Sequence, residues 1–428
     1  MSACLTIAAV GAGAGRMGLL RQVSARAALS AALLSSLLGL VGLGSTAQAQ
    51  AQAQAADCEA SQWPLWQDFN SHFIAADARV LSAITASRDS YSEAQSYAMF
   101  FALVANDQAT FDRLWHWSLQ NLAAGDLENK LPAWHWGRAP DNSWGVLDAN
   151  SASDADLWFA YALLEAGRLW QRPELSADGR TLLASVVKQE VVKLPGLGAM
   201  LLPGPYGFVQ ADGSWRLNPS YLPLPLLRRF ALESPDGPWN EIAANTVKMI
   251  KASAPKGFAP DWLTYRAPAG RKPSFGVDPV NGPTGSYDAI RVYLWAGMTA
   301  KDDPLADALL KALPGMSKRT SLDSVPPEKI NVQTGIETNS SPYGFSAALL
   351  PYLHLTAVPE IEAQQAGRAR SMQAASLLPE RLAKATPSYY DHVLSLFGLG
   401  WIENRYRFMS NGQVQLKWQK SCIQANTN

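Results

Sequence analysis

Charged residues, histidines and cysteines are all scarce in this sequence. Charged residues make up 17% of the 428 residues, and the formal net charge is zero. Residues 1–56 hold three arginines and no acid, and without them 33 basic residues stand against 36 acidic ones. Such a chain lacks the basic patch that binding to nucleic acid or to an anionic membrane requires. The sequence therefore predicts no nucleic-acid partner, and no membrane partner once residues 1–56 are removed.

Several motifs of well-known catalytic sites are also absent. The chain contains no His-Glu-x-x-His, Cys-x-x-Cys or Gly-x-Ser-x-Gly sequence and no phosphate-binding glycine loop. The five histidines are scattered along the chain, which argues against a catalytic metal centre. We therefore expect neither a metal nor a cofactor.

Residues 1–56 have the composition of a secretory signal followed by a spacer. Arg21 and Arg26 precede an apolar run, residues 27–44, and a small-x-small cleavage pattern follows it. An uncleaved membrane anchor is the alternative, although serines and glycines interrupt the run. The Ala/Gln repeat that ends at Ala56 is of low complexity and is not expected to pack.

Only Cys58 and Cys422 remain after cleavage, at opposite ends of the mature chain. In an oxidising compartment a disulfide between them would join the two ends. Two unpaired thiols on separate tails are the alternative.

Helical patterns follow one another through residues 57–428, and no linker is evident, so we predict a single all-α domain. Strand signals are limited to Tyr206–Gln210 and Gln413–Trp418. Apolar residues recur at helical spacing, or almost all round, in twelve segments: Trp63–Ala76, Ser92–Ala105, Ala109–Leu122, Leu157–Trp170, Asp178–Val192, Tyr221–Leu232, Trp239–Ala252, Tyr287–Gly297, Leu305–Leu313, Gly344–Leu355, Glu360–Ser376 and Tyr389–Glu403.

Long loops rich in aromatic residues, proline and glycine precede alternate helices. They cover residues 124–153, 195–220 and 254–286. Loops of this length usually carry function. The alternation of short and long connections predicts a closed double ring of helices with the long loops at one end.

Acidic residues begin three of these helices. Asp154 and Asp156 follow Ser153, a candidate N-cap, and Glu93 and Asp288 begin two other helices. The alternative explanation for each acid, taken by itself, is that it caps its helix or complements the helix dipole. Calcium binding by the two aspartates is disfavoured, because no glycine-rich loop supplies further oxygen ligands. Three such helix starts beside aromatic residues favour a sugar site.

The surroundings of two of these acids suggest their chemistry. Apolar neighbours such as Tyr97 are expected to raise the pKa of Glu93, as a general acid requires. Arg291 lies one turn after Asp288, so the two side chains are expected to pair.

Three segments resemble the motifs of glycoside hydrolase family 8. They are Ala152-Ser-Asp-Ala-Asp156 with its apolar helix, Ser92-Glu-Ala-Gln-Ser-Tyr-Ala-Met99, and Ser286-Tyr-Asp-Ala-Ile-Arg291. Residues 131–137 and 396–401 are similar to the branch of periplasmic endoglucanases associated with bacterial cellulose synthase. The resemblance spans about residues 58–410.

The resemblance implies an (α/α)6 barrel, with the aromatic loops forming a cleft at one end, and inverting hydrolysis of β-1,4 glucosidic bonds. It implies that Glu93 is the general acid, that Asp288 is the general base and that Asp154 orients the sugar at the cleavage point. In this site Arg291 would steady Asp288, Trp134 or Trp136 would stack on a sugar, and Asp156 would also support the helix start. The other residues assigned to the substrate site are Tyr221 and Tyr287.

These observations predict a secreted or periplasmic endo-β-1,4-glucanase that acts on cellulose chains. The cellulose synthase or export complex is a candidate partner. Chitosan or xylan is the alternative substrate. A glycan-binding assembly factor without activity is the alternative function, although the presence of all three acids argues against it.

Overall fold

The computed structural model describes residues 62–82 and 89–419, and about half of them are helical. The predicted signal, the spacer, Cys58 and Cys422 lie outside the described residues. The helices are α1 Pro64–Phe73, α2 Ser92–Val104, α3 Gln108–Asn121, α4 Ser153–Leu169, α5 Pro173–Glu190, α6 Leu224–Glu233, α7 Trp239–Ser253, α8 Ala289–Met298, α9 Ala306–Ala312, α10 Pro314–Asp323, α11 Tyr343–Thr356, α12 Pro359–Ser376, α13 Pro379–Leu382 and α14 Tyr389–Ile402.

Six of these helices, α2, α4, α6, α8, α11 and α14, form an inner ring. Most of their residues are buried, and in α4 every residue from Ser153 to Gly167 is buried. Each inner helix packs against an outer one, in the pairs α2–α3, α4–α5, α6–α7, α8–α9, α11–α12 and α14–α1. The pairing of the last inner helix with α1 brings the two ends of the barrel together. This arrangement confirms the predicted (α/α)6 barrel.

The inner ring closes through aromatic side chains and glycines. Phe397 of α14 packs edge to face against Tyr97 and Phe101 of α2, with ring centroids 5.3 and 4.6 Å apart. A Cβ atom on Gly398 or on Gly297 would collide with the backbone of α11. The absence of a side chain at these two positions lets α11 lie close to both α14 and α8.

The three long connections contain β-hairpins where the sequence predicted irregular loops. Strand β2, for example, pairs with β3, and the stacked rings of Trp136 and Trp144 lie 5.3 Å apart across this pair. Cross-strand side-chain contacts of this kind stabilise a hairpin even where no alternating apolar pattern marks it. The strands are β1 Ser90–Tyr91, β2 Ala133–Arg138, β3 Trp144–Ser151, β4 Val191–Leu194, β5 Gly198–Leu201, β6 Trp215–Leu217, β7 Leu263–Arg266, β8 Ser274–Val277, β9 Thr284–Gly285, β10 Pro327–Asn331, β11 Glu337–Ser340, β12 Tyr406–Phe408 and β13 Val414–Leu416.

The strands form small antiparallel sheets around the helices. Their orders are β1-β2-β3, β6-β7-β8 and β11-β10-β9, with the separate hairpins β4-β5 and β12-β13. The predicted strand near Gln413–Trp418 is β13. At Tyr206–Gln210 only a single bridge forms, between Val209 and Trp215.

Some helix boundaries differ from the predicted ones. Ser153 is the first residue of α4 and not its N-cap, since Ala152 occupies that position and the Ser153 hydroxyl makes no capping bond. Helix α6 begins at Leu224 because Pro223, immediately before it, has extended backbone. Helix α5 begins at Pro173, five residues earlier than predicted, and α10 and α13 were not predicted. Across the described ranges, no helix is both long and apolar enough to cross a membrane.

Candidate active site

The first residues of the inner helices meet at one end of the barrel. Glu93 is the second residue of α2, Asp154 is the second residue of α4, and Asp288 immediately precedes α8. Because each outer helix returns the chain, all inner helices begin at this end. The positive ends of their dipoles therefore favour negative charge there. Three acids from distant parts of the chain share one site.

Arg291 joins two of these acids. Its Nη2 atom lies 3.0 Å from Asp288 Oδ1 and 3.5 Å from Asp154 Oδ2, and it donates a 2.9 Å hydrogen bond to Ser220 Oγ. The guanidinium lies 5.8 Å from the ring centroid of Tyr221. The predicted pairing of Arg291 with Asp288 is present, and the buried cation also balances the charge of Asp154.

Glu93 lies at the edge of this cluster and is only partly buried. Its Oε1 accepts a 3.1 Å hydrogen bond from Trp134 Nε1, and Ser92 Oγ donates to Oε2 at 3.3 Å. Burial raises the pKa of Glu93, while the charge of Arg291 and these hydrogen bonds oppose the rise. The carboxyl group therefore keeps its proton to a higher pH than an ordinary glutamate does.

Asp154 is buried beneath the cleft, with 1% of its surface exposed. Its Oδ1 accepts the N–H of Ala155 at 2.9 Å, whereas Oδ2 has no hydrogen-bond partner within the described residues. Burial and the neighbouring charge of Glu93 raise the pKa of Asp154 well above its usual value, against the effect of Arg291. An unpaired buried oxygen is costly, so Oδ2 is suited to bind a ligand hydroxyl.

Asp288 is held from two sides and faces an open cavity. Trp262 Nε1 donates to its Oδ2 at 3.0 Å, while Arg291 holds Oδ1. A cavity of about 290 Å³ lies beside it, lined also by Tyr287 and Tyr390. This volume holds several water molecules, each of which occupies about 30 Å³ in the liquid. The carboxylate is thus fixed next to space for water.

Four tyrosines surround the acids. Burial raises the pKa of each of their phenols, so all four remain neutral. The hydroxyls of Tyr97 and Tyr389 are buried and have no hydrogen-bond partner within the described residues. The site therefore offers neutral hydroxyl groups beside its carboxyls. These residues are Tyr97, Tyr221, Tyr389 and Tyr390.

The predicted aromatic residues divide between the cleft and its rim. Trp134 is 37% exposed and contacts Glu93, so its ring is available next to the acid. Trp136 stacks on Trp144, and the guanidinium of Arg79 lies over both rings, 4.7 and 4.8 Å from their centroids. Of the two tryptophans, Trp134 is better placed to stack on a sugar. Tyr287 lies at the rim, where its hydroxyl donates to Glu328 at 2.9 Å.

Asp156, which the sequence assigned to the substrate site, lies away from the cleft. It is completely buried and faces Glu190, whose Oε1 accepts a 2.6 Å hydrogen bond from Ser151 Oγ. Burial raises the pKa of Glu190 to about 8, and burial together with Glu190 raises the pKa of Asp156 still further above its usual value. We expect the two carboxyls to share a proton, because both pKa values are raised and neither Asp156 oxygen has another hydrogen-bond partner within the described residues. Asp156 thus supports the helix start and does not contact the cleft.

The shared proton predicts a loss of stability in alkali. The folded-state pKa of Glu190, about 8, lies above its usual 4.5, so the stabilising contribution is present below pH 4.5 and is lost as the pH rises through 8. A Glu190→Gln variant keeps a hydrogen-bonding group without this ionisation. Between pH 5 and pH 9 we expect its unfolding free energy to fall by roughly 2–4 kcal/mol less than that of the wild type.

Urea unfolding followed by tryptophan fluorescence at both pH values measures this difference. Glu174→Gln, on the exposed start of α5, is the control and is expected to keep the wild-type pH dependence. An equal fall in Glu190→Gln and wild type would contradict the shared proton.

Sequence reasoning missed several residues that complete the site. Trp262 and Asp261 both contact Asp288, Ser220 binds Arg291, and Tyr390 lines the adjacent cavity. Tyr390 was marked by a usable signal, because it stands at the start of a buried inner helix, as the three acids do. Asp261 and Trp262 come from the loop after α7 and carried no comparable mark in the sequence.

The chain has the fold and the site of a glycoside hydrolase of the (α/α)6 type. Its ring of helix pairs carries a cleft that is lined by carboxyl groups and has a tryptophan at its edge. Residues 45–404 match the family described as Glycosyl hydrolases family 8. The chain belongs to glycoside hydrolase family 8.

Relatives of the chain include proteins named endoglucanases and solved structures of such enzymes. An endoglucanase of Pseudomonas fluorescens (strain SBW25) is 48% identical over 375 residues, which cover 86% of this chain and 94% of that protein. The crystal structure of an endo-1,4-D-glucanase from Vibrio fischeri ES114 is 42% identical with a TM-score of 0.77, and the match covers 84% of this chain and 100% of that one. An endo-β-1,4-glucanase from Acetobacter xylinum is 27% identical with a TM-score of 0.63, and the match covers 78% and 96%.

Proposed function

We propose that this protein is a secreted endo-β-1,4-glucanase that hydrolyses cellulose chains with inversion of configuration. The observation that carries the proposal is the convergence of Glu93, Asp154 and Asp288 at one end of the barrel, around Arg291. The endoglucanases among its relatives support the choice of a β-1,4-glucan as substrate.

Glu93 is the general acid in this mechanism. Its raised pKa keeps the carboxyl protonated, and that proton passes to the glycosidic oxygen as the bond to the leaving sugar breaks. Trp134 Nε1, which donates to Glu93 Oε1, then stabilises the carboxylate that results.

Asp288 is the general base. It accepts a proton from a water molecule in the adjacent cavity, and the oxygen of that water attacks the anomeric carbon from the face opposite the leaving group. An inverting enzyme needs its two carboxyls roughly 6.5–9.5 Å apart to leave room for this water. Positions on α2 and at the start of α8 supply carboxyls from separate walls of the cleft.

Asp154 binds the sugar at the point of cleavage through its unpaired Oδ2. Tyr221 contributes to the same wall, because the charges of all three acids act on its phenol. Arg291 keeps Asp288 oriented by donating a hydrogen bond to its Oδ1. Trp134 and Tyr287 lie further out, where exposed rings suit stacking on neighbouring glucose units.

Inversion predicts the anomer that is released first. Hydrolysis of a β-1,4 bond by direct attack of water gives an α-configured reducing end. Proton NMR of cello-oligosaccharide digestion within the first minutes should show the α-anomer signal before mutarotation equilibrates it with β. Early appearance of the β-anomer would contradict the proposed mechanism.

Chitosan and xylan are the alternative β-1,4 polymers. The endoglucanases among the relatives favour a glucan over these two polymers. We therefore expect kcat/KM on carboxymethylcellulose to exceed that on chitosan and on xylan at least tenfold, measured by release of reducing ends. Higher activity on either alternative would reassign the substrate. Cellulose binding with no release of reducing ends would instead favour the non-catalytic assembly factor.

Secretion and a role in cellulose biosynthesis complete the proposal. The apolar run and cleavage pattern within residues 1–56 support export to the periplasm or the medium. The similarity of residues 131–137 and 396–401 to the cellulose-associated branch supports a role beside a cellulose synthase or export complex. A glucanase placed there would trim chains as they emerge.

A further inference from the structure

The carboxylate of Asp261 binds the start of helix α8 from a different part of the chain. A single oxygen, Oδ1, accepts the backbone N–H groups of Ser286, Asp288 and Ala289 at 2.7, 3.1 and 2.8 Å. The first N–H groups of a helix have no partner within the helix and need an acceptor. Asp261 supplies that acceptor from the loop that follows α7.

This arrangement changes what Asp288 is able to do. Asp288 immediately precedes α8, its backbone is already helical, with φ −78° and ψ −49°, and its own N–H is one of the three that Asp261 accepts. Here the Asp288 side chain makes no capping bond, and its two oxygens instead meet Trp262 and Arg291. Because Asp261 accepts the N–H groups of this first turn, the side chain of Asp288 is not needed as a cap and stays available to the cleft.

We propose that Asp261 is a positioning residue for the general base: by capping α8 it releases the side chain of Asp288 and fixes its backbone at the reaction centre. This inference rests on the proposed role of Asp288 as the base. Asp261 itself does not touch the substrate.

The segment that carries Asp261 is rigid enough for this role. The N–H of Asp261 donates to the carbonyl of Thr284 at 2.8 Å, and the N–H of Ala259 donates to Tyr293 Oη at 2.9 Å. The next residue, Trp262, holds Asp288 Oδ2 and lies 4.9 Å from the guanidinium of Arg216. Two consecutive residues thus hold the backbone and the side chain of the base.

Charge links Asp261 to the pH dependence of the site. Burial, with a smaller contribution from the charge of Asp288, raises the pKa of Asp261 to about 6. The other titratable groups that face it are Tyr293 and Tyr390, and burial keeps both phenols neutral by raising their pKa. Protonation of Asp261 in mild acid weakens its bonds to the helix start, so activity is expected to fall as the pH drops through about 6.

Two substitutions separate the capping bond from the charge. Asp261→Ala removes the acceptor, and we expect kcat on carboxymethylcellulose to fall roughly ten- to a hundredfold with KM within about twofold, since a displaced catalytic group costs about this much. Asp261→Asn keeps an oxygen acceptor without the charge. Because its amide resembles the protonated carboxyl, kcat should fall to about the level that the wild type shows below pH 6, and the acidic limb near pH 6 should disappear.

Asp107 offers a matched control on an outer helix. Its Oδ1 accepts the N–H of Thr110 at 3.0 Å at the start of α3, and its Oδ2 accepts Trp66 Nε1 at 3.1 Å. Asp107→Ala therefore loses the same kinds of contact far from the cleft. It should lower the denaturation temperature while leaving kcat and the acidic limb unchanged.

The outcomes distinguish this inference from the proposed function. The positioning role alone would be overturned if both Asp261 variants kept the wild-type kcat and pH profile while Asp288→Asn was inactive. An equal fall in kcat for Asp107→Ala and Asp261→Ala would also overturn it, because the effect would then be general destabilisation. Full activity in Asp288→Asn would overturn the proposed base itself. If Asp261→Ala does not fold, the pH profile of Asp261→Asn tests the positioning role, and a profile equal to that of the wild type would overturn it.

Discussion

Glu93→Gln is expected to hydrolyse carboxymethylcellulose roughly 10²–10⁴-fold more slowly than the wild type, because its amide has no proton to give to the leaving oxygen. The substitution preserves shape, and the amide oxygen still accepts from Trp134 Nε1, so the fold and substrate affinity should persist. Reducing-end release under initial-rate conditions measures kcat, and isothermal titration with cello-oligosaccharides measures binding.

The leaving group gives this prediction a sharper form. A dinitrophenyl cello-oligosaccharide needs no protonation to depart, so Glu93→Gln should hydrolyse it at close to the wild-type rate. Glu174→Gln is the matched control, since Glu174 also occupies the second position of a helix, the outer helix α5, but is exposed. It should retain full activity on both substrates. Wild-type activity of Glu93→Gln on carboxymethylcellulose would reject the acid assignment.

Asp288→Asn is expected to lose activity by a similar factor on every substrate, whatever the leaving group. Water must be deprotonated as it attacks in each case, and the amide is a very weak base. Its oxygen can still accept from Trp262 Nε1 or Arg291, so the local structure should be preserved. Kinetics on carboxymethylcellulose and on the dinitrophenyl substrate, compared side by side, measure the effect.

Azide provides an independent check on Asp288. As an anion it needs no base, and it should restore turnover of Asp288→Asn by giving an α-glycosyl azide from the β-linked substrate. Asp178→Asn is the control, because Asp178 likewise accepts an indole N–H, that of Trp115 at 2.8 Å, on an outer helix. A rate loss in Asp288→Asn confined to poor leaving groups would assign this residue as an acid instead.

The two aspartates at the start of α4 illustrate how far local sequence reasoning reaches. Both were correctly placed in the first turn of a buried helix, yet their surroundings differ completely. Asp154 forms an ion pair with Arg291, whereas Asp156 faces Glu190, whose side chain comes from 34 residues further along the chain. Helical periodicity places two residues on a helix but does not say which neighbouring element each one meets.

The β-hairpins show a similar limit on what the sequence alone predicts about the fold. The apolar pattern of the inner helices is continuous along the chain, so their number and order were predictable. Strands β2 and β3 are held by contacts between Trp136, Trp144 and Trp117, and these contacts exist only after the hairpin and α3 pack together. Nothing in residues 124–153 alone distinguishes this structure from an irregular loop.

The sequence by itself determined the ring of helices, the family and the three acids at the helix starts, because each depends on residues close together in the chain. Periodic apolar residues make a helix, and an acid in its first turn meets the helix dipole wherever the helix packs. Tertiary structure alone decided which groups act on those acids. Asp261 and Trp262 hold Asp288 from 26 residues upstream or more, and Trp134 reaches Glu93 across 41 residues. These contacts depend on barrel closure, which brings distant helix starts within hydrogen-bonding distance.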